Sequence, residues 1–120
     1  MRIITLALTG VLVAAGAGAA AQDAAVIEKG KTVFQHYCTP CHGAGRGDDG
    51  APMLPGTHAL YLKYGDRKPA LLEQRSDLRA AVIKAFVRNG VASMPPFRKT
   101  EVTDDDIKAI AVYLAEAAKR

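Results

Sequence analysis

The chain has 120 residues, with sixteen Lys and Arg against twelve Asp and Glu and a formal charge of +4. That length accommodates one domain, and its modest positive charge comes with no nucleic-acid recognition motif. Four Tyr, three Phe and no Trp make a thin core for a small domain, one that a buried apolar cofactor would complete.

The first segment, residues 1–21, opens with Arg2, runs apolar and small from Ile3, and exits at Ala19-Ala20-Ala21. This is the pattern of a secretory signal peptide. Cleavage is expected after Ala21, leaving 22–120 as the mature domain and placing it outside the cytoplasm, in a bacterial periplasm. An uncleaved anchor is the competing reading, because the run from Ile3 to Ala21 is nearly long enough to span a bilayer. Its second half, rich in Gly and Ala, is weakly hydrophobic and argues for cleavage.

From Asp23 to Tyr37 the residues Val26, Ile27, Gly30, Val33, Phe34 and Tyr37 recur with a period of about 3.6 residues, predicting a first helix. It ends at Cys38-Thr39-Pro40-Cys41-His42, which holds both cysteines of the chain. This C-x-x-C-H order is the attachment signal for a c-type haem. Two thiols at this spacing can each form a thioether with one haem vinyl group, and the following imidazole is then held against the iron. Other readings of a C-x-x-C pair are a zinc site, a thiol redox motif or a local disulfide. Zinc lacks a ligand set, since only His36, His42 and His58 accompany the cysteines. A thioredoxin-like motif calls for strands, and none is predicted around it. A disulfide across two residues would be strained.

Residues 43–56, rich in Gly, Asp and Pro, read as loop. Between 57 and 74 the pattern is ambiguous, with a helical turn over 59–62 and a short helix near 70–73 as options. Ser76 or Asp77 is the expected cap of a helix whose apolar positions are Leu78, Val82, Ile83, Phe86 and Val87, stopped by Asn89-Gly90. An extended loop over 91–100 carries Met94-Pro95-Pro96-Phe97. Thr103 is the expected cap of the last helix, with Asp104, Asp105 and Asp106 at its positive dipole end. Its core face is Ile107, Ile110, Ala111 and Leu114, with Tyr113 alongside. The domain is expected to be all-α.

Opposite His42, the donors are Met53, Met94, His36 and His58. Met94 is best placed, because Pro95-Pro96 stiffens its loop and restricts the residue before it. Met53 follows the motif closely and is expected on the same side as His42. His36 is too near Cys38 to cross the haem, and His58 is the rival. A thioether opposite an imidazole raises the reduction potential and leaves no open coordination position. The alternative is an open-site haem enzyme or sensor, in which Met94 serves only as core filler.

Taken together, these residues resemble the class I cytochromes c. Gly30 and Phe34 precede Cys38 as the family's helix-contact glycine and aromatic do, and Ile110 and Tyr113 match their partners on the last helix. The resemblance implies a cytochrome c fold, a small helical domain wrapped around one covalent haem, with His42 and Met94 on the iron. Pro52-Met53-Leu54 looks like the family's G-P-x-L segment with Ala51 in the glycine position, which implies that the Pro52 carbonyl accepts the Nδ1 proton of His42. Residues 83–97 and Val102-Thr103-Asp104-Asp105 further resemble the cytochrome subunit of flavocytochromes that oxidise 4-alkylphenols, of the p-cresol methylhydroxylase and eugenol hydroxylase type. That implies an FAD-containing dehydrogenase subunit as electron donor, the protein itself not being an enzyme. A freely diffusing carrier to a terminal oxidase is the alternative.

Charge is unevenly spread. Residues 63–99 hold nine Lys and Arg against Asp66, Glu73 and Asp77, whereas Glu101 and Asp104, Asp105 and Asp106 follow closely. A basic ring near Met94 that steers an acidic redox partner is one expectation; solvated helix faces are the other.

Overall fold

The structure is a computed structural model that describes residues 15–120, with side chains from residue 20 onward. Five helices occur among the described residues: α1 Ala15–Tyr37, α2 Thr39–His42, α3 Pro55–Tyr64, α4 Ala80–Asn89 and α5 Asp104–Ala117. Two 3₁₀ turns, Gly65–Arg67 and Leu72–Gln74, lie between α3 and α4. No strand occurs among the described residues beyond one isolated bridge, Val91 with Met94, so the all-α expectation holds.

α1 packs across α5, and this crossing dominates the contacts between helices. The core is built on it. Phe34 from α1 meets Val87, Val102, Ile107, Ile110, Tyr113 and Leu114 in one buried cluster. The Phe34 and Tyr113 rings sit 5.6 Å apart and tilted at 50°. Burying such residues supplies about 1.5–3 kcal/mol each. Tyr113 also sends its hydroxyl to Glu73, tying α5 to the second 3₁₀ turn.

Among the described residues helix α1 reaches back past Asp23 to Ala15, because Ala17 and Ala19-Ala20-Ala21 have high helix propensity and no proline interrupts the run. It therefore runs through the expected cleavage point; residues 1–14 of the expected leader lie outside the described residues. Among the described residues no helix is long and apolar enough to cross a membrane.

α4 starts later than expected. Its N-cap is Arg79, with no side-chain cap, because Asp77 spends its carboxylate on Arg75 at 2.7 and 2.8 Å and on Lys68 at 2.6 Å. Leu78, counted on the helix from the sequence, lies ahead of it and packs against the core from outside. Only Val87 of its apolar stripe is buried; Val82 and Phe86 remain 39% and 43% exposed.

α5 follows the sequence closely. Thr103 and Asp106 form a reciprocal capping box. Its buried face differs at one position: Ala109 is buried and Ala111 is not, because α1 presses Gly30 against Ala109.

Candidate functional site: the Cys–His turn and the Met94 loop

α1 delivers the motif. The N–H of Cys38 bonds the Phe34 carbonyl at 2.8 Å, continuing the helix into the turn, and the N–H groups of Cys41 and His42 both return to the Cys38 carbonyl at 3.1 and 2.8 Å. The single turn α2 then closes when Gly43 N–H bonds Thr39 O at 2.9 Å. No disulfide joins the two cysteines; Cys41 is exposed, and Cys38 is partly buried against the core. Burial, reinforced by Cys41, pushes the Cys38 thiol up to about 11. Burial also lowers the His42 imidazole, favouring the neutral ring, the form that binds a metal.

The Nδ1 atom of His42 is buried and has no hydrogen-bond partner. The bond to the Pro52 carbonyl implied by the resemblance is not formed. Gly56 packs against that edge of the ring instead, its position for a Cβ lying 2.8 Å from Nδ1. Sequence reading assigned Pro55 and Gly56 to loop, yet they form the first turn of α3, with Pro at the helix start where its missing N–H costs nothing. The only advance signal was that Pro-first arrangement.

Pro52 and Met53 line a cleft of about 320 Å³ together with Gly43, Thr57, Leu71 and Gln74. Met53 thus shares a cleft with Gly43, the residue that follows His42. His36 is exposed and edge-on to Tyr37. His58 is half-buried on α3.

Met94 is half-buried against the core cluster. Its loop is fixed at both arms. Val91 and Met94 exchange backbone bonds of 3.1 and 2.9 Å, and Phe97 N–H bonds Val87 O at 2.7 Å. Arg88, which sequence reading passed over, completes the clamp. Its Nη1 donates to Phe97 O at 3.1 Å; its Nη2 donates to Val102 O at 2.8 Å and to Asp104 Oδ1 at 2.7 Å. The motif and the loop meet through aromatics. The ring of Tyr37, just before Cys38, stands edge-on to Phe97 at 5.8 Å.

The basic ring expected from the sequence is largely neutralised. Lys84, Arg88 and Lys99 converge on Asp104, Lys68 and Arg75 on Asp77, and Arg98 on Glu101. Asp104, which looked segregated along the chain, is brought back onto Lys84 and Arg88 by the α4–α5 packing.

The family model for cytochrome c oxidase, cbb3-type, subunit III matches residues 25–114. Cytochrome c6 of Leptolyngbya boryana is 33% identical over 91 residues, covering 76% of this chain and 92% of that protein. The chain belongs to the class I cytochromes c.

Subunit CcoP of the cbb3-type cytochrome c oxidase of Azospirillum sp. (strain B510) is 34% identical to this cytochrome over 100 residues, and that of Cereibacter sphaeroides 33% over 95. These alignments cover 78% and 77% of this cytochrome. It spans only 29% and 28% of those two subunits. No solved structure matches it. As a cytochrome c, the protein is an electron-transfer protein carrying a single covalent haem c. The residues present fit that group: two cysteines at thioether spacing with no disulfide between them, a half-buried imidazole directly behind the second, and a thioether on a fixed loop.

Proposed function

We propose that this cytochrome is a periplasmic single-electron carrier, its leader removed near Ala21, with haem bonded at Cys38 and Cys41 and iron ligated by His42 and Met94. The Tyr37–Phe97 contact carries the reading, because it joins the segment ending in the Cys–His turn to the loop bearing Met94. When bound, the haem supplies an iron that alternates between ferric and ferrous states. The chain's own residues hold that state change in place. Cys38 and Cys41 fix the porphyrin edge, His42 presents a neutral imidazole, and the Arg88 clamp holds the thioether of Met94 without a large ordering cost. The Pro52 carbonyl is the acceptor that the resemblance implies for the Nδ1 proton, but in the structure that atom has no hydrogen-bond partner.

Two occupied axial positions leave no place for a substrate or gas, so the chemistry is electron exchange. A redox titration of the holoprotein should follow a one-electron Nernst curve at a raised potential, and the ferrous form should not bind carbon monoxide. Ready carbon monoxide binding would replace this reading with the open-site enzyme or sensor.

For the donor, the resemblance of residues 83–97 to the cytochrome subunit of alkylphenol flavocytochromes supports an FAD-containing dehydrogenase. The second reading, a freely diffusing carrier to a terminal oxidase, is favoured by the likeness to cytochrome c6 and to the CcoP subunits. Purification from the native periplasm separates them. A flavoprotein in fixed ratio supports the first; a lone cytochrome reduced by many donors supports the second.

A further inference from the structure

The first turn of α3 is built against the histidine of the motif. A Cβ on Gly56 would come within 2.7 Å of His42 Cε1, 2.8 Å of His42 Nδ1 and 2.8 Å of the Cys41 carbonyl oxygen. The three nearest atoms it would meet all belong to the Cys–His turn, so the missing side chain makes room for the imidazole and its backbone. The next residue, Thr57, is 4% exposed. Its Oγ1 donates to the Gly43 carbonyl at 2.9 Å, and Gly43 directly follows His42. A buried hydroxyl is costly unless it is hydrogen-bonded; valine would fill the same volume without that demand. One helical turn therefore touches the ring with residue 56 and fixes the backbone leaving the ring with residue 57.

We propose that Gly56 and Thr57 are positioning residues for His42. Gly56 sets how deeply the ring sits. Thr57 keeps the first turn of α3 closed over it and excludes water from that side. The proposal rests on His42 being an iron ligand. A dry, apolar surround disfavours the more highly charged ferric state, and groups around a ligand tune the metal's potential. The α3 turn therefore sets part of the reduction potential.

The test uses holo-cytochrome variants Thr57→Val, Thr57→Ser and Gly56→Ala with two readouts: the midpoint potential, and the hyperfine-shifted His42 ring resonances of the ferric protein by NMR. Thr57→Val should lower the midpoint and move the ring resonances. Thr57→Ser, which retains the hydroxyl, should return both toward wild type. Gly56→Ala should displace the ring resonances further than Thr57→Val, and it carries the test alone if Thr57→Val does not accumulate as holoprotein. Lower thermal stability with unchanged midpoint and ring resonances in both Thr57→Val and Gly56→Ala would overturn the proposal. Failure of the underlying ligand assignment is separately visible, because the wild-type spectrum would then show no hyperfine-shifted resonances from His42.

Discussion

Gly30 faces Ala109 so closely that a Cβ at position 30 would overlap the Ala109 carbonyl and lie 2.9 Å from the Cβ of Tyr113. The obstacle is backbone, which cannot swing aside as a side chain would. Because α1 carries the Cys–His turn and α5 anchors the core, this crossing fixes the motif relative to the rest of the domain. Gly30→Ala should destabilise the holoprotein by about 1–3 kcal/mol or more, the cost of overpacking a tight interface. Denaturant unfolding followed by circular dichroism measures it.

Asp104 links the Met94 loop to pH. Its carboxylate is held down to about 2, first by the hydrogen bond from Arg88 and then by that from Lys84. Because the folded value is depressed, the stabilisation is complete above the unfolded value of about 3.9 and disappears as pH falls through about 2. Acid unfolding should therefore gain steepness across that window. Asp104→Asn should flatten this limb and lower stability near neutral pH. Unfolding midpoints for both proteins at about pH 5 and about pH 2.5 test the sign.

Met94→Ala removes the only thioether on the fixed α4–α5 loop. The haem spectrum should become high-spin or carbon-monoxide-binding, and the midpoint potential should fall, since loss of thioether ligation favours the ferric state. Met53→Ala, on the cleft beside Gly43, should leave the coordination spectrum unchanged. Optical titration of both variants decides between the two methionines.

Much of this molecule was legible because its chemistry is local. The motif lies in consecutive residues, Thr103 and Asp106 cap α5 across a single turn, and Ile107, Ile110 and Leu114 repeat at helical spacing. What escaped sequence reading depends on distant partners. Asp77 did not cap α4 because Arg75 and Lys68 claimed it. Ala109 replaced Ala111 in the core because of Gly30. Val82 and Phe86 looked like core, since periodicity reports a face without saying what covers it. The bracket of Gly56 and Thr57 on the Cys–His turn was hidden, because its bond to Gly43 spans residues whose spacing carries no pattern. The clustered cations near Met94 looked like a free basic surface until the fold returned Asp104 to them.

The covalent link between porphyrin and protein is tested most directly by acid–acetone extraction of the purified cytochrome. Thioethers at Cys38 and Cys41 predict that the red colour stays with the precipitated protein, and that Cys38→Ser with Cys41→Ser releases it. Pigment passing into the solvent from the wild-type protein, or two titratable thiols in its coloured form, would contradict the account.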